Sequence, residues 1–182
     1  RIGFVDDDLN NFHANVYLAT LRSALAGRGW QVTGATARKR KASRDWCGEH
    51  DVPWFESVEA LDAHVDAYMV LAPGSPETHW ELCQAVLPRR KPTYVDKTFA
   101  PDLRTAERIF ALADEHGTAV QTSSALRYTA VQDWVAEVGR NRVRHLTAFG
   151  GGGSFDEYAI HPVELIVSCM GAKAESLMRR GT

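Results

Sequence analysis

The sequence predicts an α/β protein: a doubly wound parallel sheet followed by the start of an α+β second domain. Three observations carry this expectation. Short apolar runs alternate with segments of helical periodicity from Ile2 to Gln121, the rhythm of successive βαβ units. The run Ala67-Tyr68-Met69-Val70-Leu71-Ala72 is apolar throughout, as a strand buried on both faces requires. Beyond Gln121 the rhythm breaks, and an alternating segment runs into the glycines Gly150 to Gly153. The predicted division is therefore a nucleotide-binding-type domain over 1–122 and the incomplete beginning of a second domain over 123–182.

Ile2-Gly3-Phe4-Val5 reads as a short buried strand ended by Asp6-Asp7-Asp8. Asn10 or Asn11 caps a helix with apolar positions Val16, Leu18, Leu21 and Leu25, closed by Gly27 and Gly29;. Trp30 to Ala35 is the second strand, and the basic stretch from Arg38 opens a helix through Trp46. Val52 to Phe55 is expected as a third strand, and Ser57 caps a helix running to His64. The apolar run from Ala67 ends in the turn Pro73-Gly74-Ser75-Pro76;. Glu77 to Leu87 and Ala100 to Glu115 read as helices, with strands at Thr93-Tyr94-Val95 and Thr118 to Gln121. In the second domain the pattern predicts a helix over Tyr128 to Val138, a strand over Arg142 to Phe149 and a helix from about Tyr158 to Met170.

Composition narrows the function classes. With 182 residues, 45% hydrophobic and 24% charged, the chain has ample material for a core and is neither disordered nor fibrous;. A net charge of −2 offers no basic field for nucleic acid;. No apolar run approaches the roughly 20 residues of a membrane span. The three cysteines, Cys47, Cys83 and Cys169, suggest neither a disulfide framework nor a metal knuckle;. A cytoplasmic protein with a small-molecule ligand is expected. The opening at Arg1 without methionine suggests a portion of a longer protein.

In parallel sheets of this kind, ligands bind beyond the carboxyl ends of the strands. The first strand–turn–helix has the layout of a dinucleotide fingerprint, which places glycine at three positions so that backbone can approach a pyrophosphate. Those positions hold Asp6, Asp8 and Asn11. One carboxylate ~4 Å from a phosphate costs about 4 kcal/mol at an effective dielectric of 20. The loop has other readings. Its acids favour the positive end of the following helix. Asp6-Asp7-Asp8-Leu9-Asn10 also resembles the DxDx(T/V) signature of haloacid-dehalogenase-type phosphatases, which implies Asp6 as nucleophile and Asp8 as acid/base;. A metal held by Asp6, Asp8 and His13 is a third option. After the second strand, Arg38 and Lys39 stand where an acid would read the ribose of NAD, so a bound dinucleotide would be NADP rather than NAD;.

Three later segments point to one family. Pro73-Gly74-Ser75-Pro76-Glu77-Thr78-His79 and Tyr94-Val95-Asp96-Lys97-Thr98 resemble the N-P-x-x-x-H-like turn and the Glu-Lys-Pro motif of the glucose-fructose oxidoreductase, inositol dehydrogenase and MocA (Gfo/Idh/MocA) family. Glu157-Tyr158-Ala159-Ile160-His161-Pro162-Val163-Glu164 is similar to that family's D-x-x-x-H-x-x-D helix. The resemblance implies a Rossmann domain, a second domain whose sheet serves homo-oligomer contacts, and hydride transfer between NAD(P) and a sugar, polyol or related hydroxylated molecule. It implies Lys97 orienting the reacting oxygen, His161 as acid/base and Glu157 in the aspartate's place. Pro73, His79 and Asp96 join Asp6, Asp8, Asn11, Arg38 and Lys39 as its cofactor-side candidates. Arg127, Tyr128 and Tyr158 are its substrate-side candidates, with Arg127 also suited to an interdomain salt bridge. Spacing agrees in part, because 157, 161 and 164 share one face of a continuous helix, and histidine titrates near neutrality without help. Two alternatives stand beside it: a relative that has lost the cofactor and binds or senses a ligand, and a metal-dependent hydrolase built on Asp6 and Asp8.

Overall fold

The computed structural model describes residues 1–176, 178 and 180. It divides into two compact units, Arg1–Thr122 and Ser123–Thr182.

The first unit is built on five parallel strands, β1 (Ile2–Asp6), β2 (Val32–Ala37), β3 (Ala67–Val70), β4 (Thr93–Val95) and β5 (Val120–Gln121), in the order β2-β1-β3-β4-β5. The chain leaves β1 toward β2 on one side and returns to β3 on the other. The switch of direction therefore falls between β1 and β3, where such sheets open a crevice at their carboxyl ends. Helices α1 (Phe12–Arg22), α2 (Arg40–Glu49), α3 (Val58–Asp62), α4 (His79–Val86) and α5 (Leu103–His116) cover both faces.

Alternation along β1 explains the two cores. Phe4 packs with Leu18, Leu21, Trp46 and Leu71 on one face. Val5 packs with Leu61, Val70, Leu82 and Ile109 on the other. The helix starts follow from local side chains: Asn11, Ser57 and Asp102 each accept the N–H of the residue three ahead;. Gly117, at φ +65°, ends α5 in the left-handed conformation that glycine adopts without a steric cost;.

Two expectations change here. Val52 to Phe55 is not a strand of the sheet. A single bridge, Ala35 to Trp54, places it beside β2, where a classical third strand would lie. The Pro53 carbonyl accepts from Ala35 and the Phe55 N–H donates back to it, but Pro53 has no N–H to extend the ladder;. The basic stretch also starts its helix later, at Arg40, because Arg38 and Lys39 bond back to the first loop.

The second unit contains α6 (Ala130–Val138), α7 (Phe155–Tyr158) and α8 (Ile160–Met170). Thr129 and Gln132 form a reciprocal capping box for α6;. Gln132 also donates to the Leu126 carbonyl and to Ser168 Oγ, both at 2.7 Å, tying α6 to α8. The expected strand over Arg142–Phe149 does not form: Arg142 ends a 3-10 turn and residues 143–149 take no regular structure. Among the described residues this unit holds no second strand to pair with it, and a strand alone leaves its backbone groups to water. The helix expected from Tyr158 breaks at Ala159 into α7 and α8. Pro162, which lacks an N–H, cannot donate to the Tyr158 carbonyl four residues back.

No helix among the described residues is long and apolar enough to cross a membrane. The three cysteines are buried and unpaired, and burial pushes the Cys47 thiol up to about 11 and that of Cys83 up to about 12.

At Gly34 of β2, α3 and the chain just before it press closely on the sheet. A Cβ there would lie 2.4 Å from the Phe55 ring and 2.6 Å from Leu61. Gly34→Ala is expected to destabilise the chain by about 1–3 kcal/mol through overpacking. Gly48→Ala, in α2 with open space around it, is expected to stabilise by about 0.5–1 kcal/mol. Urea denaturation of the two variants checks the contrast.

Candidate active site at the carboxyl edge of the sheet

The first loop closes on a carboxylate. Asp6, at the end of β1, is 1% exposed. Its Oδ1 accepts the backbone N–H groups of Asp7 (2.7 Å), Asp8 (3.2 Å) and Ala72 (3.0 Å). Its Oδ2 accepts from Asn11 Nδ2 at 2.9 Å. The same amide donates to the Asp8 carbonyl at 2.7 Å, while its oxygen caps α1 through the Ala14 N–H at 2.9 Å. Asp6, Asp8 and Asn11 therefore meet one another. Burial raises the Asp6 carboxyl to about 6, offset in part by the bond from Asn11 and by the three N–H donors;.

Asp7 fastens this loop to the next. It pairs with Lys39 at 2.9 Å and with Arg38 at 3.4 Å, and Arg38 also reaches Glu81 of α4 at 3.3 Å. Beside them lies an open cleft of about 410 Å³, lined by Asp6, Thr36, Ala37, Arg38, Glu81 and Leu82 among others. The metal options find no geometry. His13 turns away to Asp96, and the Asp6 oxygens face N–H donors. Among the described residues no three His, Cys, Asp or Glu side chains gather as a metal site.

After β3 and β4 the structure separates the candidates. Pro73 is half-buried in the turn that follows Ala72. His79 is fully buried, with Nδ1 3.0 Å from the Phe99 carbonyl and Nε2 2.9 Å from the Leu71 carbonyl. Both ring nitrogens are used in holding chain to chain, which leaves the ring no polar atom for a ligand. Asp96, also fully buried, gathers donors on Oδ1: the Lys97 N–H at 2.9 Å, Tyr17 Oη at 3.2 Å and Tyr94 Oη at 3.3 Å. His13 Nδ1 lies 2.5 Å from Oδ2, which accepts no hydrogen bond among the described residues. Burial and the neighbouring Asp96 charge push the Tyr17 phenol well above its usual range. Lys97 is half-buried, and its ammonium has no partner among the described residues.

In the second unit, His161 Nδ1 lies 2.6 Å from Ser124 Oγ, a pairing that spacing alone could not show. Glu157 lies in α7 and is exposed, on the other side of the Ala159 break. Arg127 pairs with Glu164 of α8 within this unit rather than between units. Tyr128 and Tyr158 are exposed at 66% and 41%, and the Tyr158 ring lies 6.0 Å from that of His161.

A five-stranded parallel sheet of this order, with a loop–helix at its switch point, defines a Rossmann-type domain. Residues 9–124 match the family described as oxidoreductases with an NAD-binding Rossmann fold, and the chain belongs to that Gfo/Idh/MocA family. The match begins immediately after Asp6 and Asp8. An oxidoreductase from Bacillus cereus has a similar structure, with a TM-score of 0.70 at 20% identity over 93% of this chain and 53% of its own. UDP-N-acetylglucosamine 3-dehydrogenase from Acidithiobacillus ferrooxidans gives 0.62 at 17% identity, covering 76% of this chain and 43% of its own. Biliverdin reductase from Synechocystis, in complex with biliverdin and NADP+, gives 0.58 at 16% identity, covering 75% and 42%. The chain thus spans about half the length of these proteins or less, and the likeness is one of fold. Comparison with curated protein sequences returns no match.

The family's dinucleotide can be set against these residues. The cleft with Thr36, Ala37, Arg38 and Leu82 fits the adenosine end. The first loop fits a pyrophosphate only with Asp6 neutral, because the ionised carboxylate already holds the N–H donors of Asp7, Asp8 and Ala72. Of the charges around it, Asp7 and Asp8 oppose a further anion, Lys39 and Arg38 partly offset them, and Glu81 draws Arg38 away.

The sign is fixed by the raised carboxyl. Protonated Asp6 dominates below about pH 6, so NADPH affinity is expected to rise about tenfold per unit as pH falls from 8 to 6, then level off. Asp6→Gly is expected to remove that slope and tighten binding at pH 8. Calorimetric titration across this range reads both outcomes.

Proposed function

We propose that this chain is part of an oxidoreductase acting on a sugar, polyol or related hydroxylated small molecule, with Lys97 and His161 as its catalytic residues. The observation that carries the reading is Lys97: a half-buried cation just past β4, its backbone N–H fixed on the buried Asp96 and its ammonium unpartnered among the described residues. Family membership supplies the reaction class. When bound, the dinucleotide supplies the hydride acceptor.

The protein's own residues would handle the oxygen and its proton. Lys97 donates a hydrogen bond to the carbinol oxygen and stabilises the negative charge that develops as the carbon loses its hydride. His161 accepts the hydroxyl proton, its ring held in one orientation by Ser124;. Glu157, exposed on α7, would serve the charged form of that histidine. Arg127 is committed to Glu164, so substrate contact falls to Tyr128 and Tyr158. Arg38 lines the cleft and favours NADP over NAD, provided that a 2′-phosphate displaces Glu81 from it;.

Lys97→Ala and His161→Ala are each expected to lower turnover at least a hundredfold while leaving the far-UV spectrum and the urea midpoint unchanged. The assay is NADP+ reduction by a polyol panel, using the full-length protein. Wild-type turnover in both variants would sink the assignment. A second reading, a ligand-binding relative without the dinucleotide, is favoured by the Asp6 carboxylate in the first loop. Absence of NADPH and NADH binding at every pH from about 5 to 8 would select it.

A further inference from the structure

Position 157, where the resemblance puts the partner of the acid/base histidine, is exposed in this chain and lies before the break at Ala159. The side chain that meets the ring belongs instead to Ser124, in the turn that opens the second unit. We propose that Ser124 is the positioning residue of His161 and selects the tautomer whose Nε2 takes up the hydroxyl proton. This role rests on the reading of His161 as acid/base given above, and extends it to the group that aims the ring.

The contact is short and sheltered. Ser124 Oγ lies 2.6 Å from His161 Nδ1, and Ser124 is 1% exposed, which keeps water from competing for the bond. The serine is itself fixed. Its backbone is extended, at φ −79° and ψ 151°, and its Oγ also accepts the Leu126 N–H at 3.2 Å, at the start of the short 3-10 turn Ala125–Arg127. An oxygen anchored in this way does not follow a rotating ring, so the ring is held to it.

The direction of the bond follows from the task. A base that takes a proton at Nε2 starts with that nitrogen bare, so its one ring proton sits on Nδ1 and is donated to Ser124 Oγ. Oγ has two lone pairs, one for the Leu126 N–H and one for Nδ1–H;. When the hydroxyl proton moves to Nε2, the ring becomes a cation with both nitrogens protonated, and Nδ1–H keeps the same acceptor. Neither side chain has to turn during the transfer, as a preorganised base requires.

This pair is not what holds the unit together. Two other ties run from the same stretch to α8: Arg127 pairs with Glu164, and Gln132 reaches Ser168 Oγ at 2.7 Å. Positions 161, 164 and 168 fall on one face of that helix. Removing the Ser124 hydroxyl therefore leaves the docking of the turn on α8 in place.

Long-range proton–nitrogen NMR on full-length protein carrying nitrogen-labelled histidine reads the pair directly, with His161→Ala identifying the signal. At about pH 8, His161 is expected as the Nδ1-protonated tautomer. Ser124→Ala is expected to shift the balance toward Nε2 protonation. In the polyol assay it is expected to lower kcat at least about tenfold, with KM within about twofold of wild type. Ser124→Thr, which keeps the hydroxyl on a backbone that suits a β-branched residue, is expected to restore both readouts.

An Nε2-protonated His161 in the wild type overturns the proposal. So does a Ser124→Ala variant that loses urea stability but keeps the wild-type tautomer and kcat, the mark of a merely structural serine. Turnover lost in His161→Ala and intact in Ser124→Ala removes the positioning role and leaves the reaction standing. Full turnover in His161→Ala removes the acid/base reading itself, and the two failures are thus read from different variants.

Discussion

The arrangement of the carboxyl edge depends on one buried carboxylate. Asp6 ends β1 at the point where the sheet changes direction, and its Oδ1 takes the Ala72 N–H from the end of β3. The bond crosses the crevice that the strand order opens. Ala72 itself has φ +39°, a left-handed conformation that a residue with a side chain adopts only when its surroundings hold it there. The Asp6 carbonyl accepts from Arg38 and the Asp7 carbonyl accepts from Lys39. The loops after β1, β2 and β3 are thus one hydrogen-bonded assembly with Asp6 at its centre. Raising this carboxyl from 3.8 to about 6 costs the ionised fold about 3 kcal/mol relative to the protonated one. The fold is favoured by that amount below about pH 4, where Asp6 is protonated in both states, and loses it as pH rises through 6;.

A second acid two strands away solves the same burial problem differently. Asp96 is equally inaccessible, yet its donors come from side chains on α1 and β4 as well as from its own backbone neighbour. Asp6 is satisfied mainly by main-chain N–H groups, which cannot leave without unfolding the loop. Asp96 Oδ1 is satisfied by one main-chain N–H and two phenols, and its Oδ2 accepts no hydrogen bond among the described residues.

Local patterns made much of this legible. The all-apolar run from Ala67 could belong only to a central strand, and it is β3. Asn11, Ser57 and Asp102 cap helices through side chains that a sequence displays directly. Lys97 was singled out by its likeness to a Glu-Lys-Pro motif, and it lies just past β4, at the carboxyl edge. Two strand expectations failed for lack of partners, since alternation predicts a face and not a neighbour: Pro53 interrupts one ladder, and Arg142–Phe149 has no second strand beside it among the described residues. His13, read as a metal ligand with Asp6 and Asp8, faces Asp96 instead, a residue distant in sequence. His13 and Tyr17 lie four apart at the start of α1 and share the helix face that turns toward β4.

The departures from the glycine fingerprint gain a physical meaning from these contacts. Glycine at the three loop positions leaves N–H groups uncommitted and lets an external anion take them. Here the chain supplies its own anion. Asp6 holds the donors, Asn11 holds both Asp6 and the start of α1, and Asp7 takes up the cations of the second loop. A dinucleotide entering this crevice must therefore displace an interaction the protein already makes, rather than fill a prepared space. Its affinity becomes a difference between two anions competing for the same N–H groups, and the protonation state of Asp6 decides which one holds them.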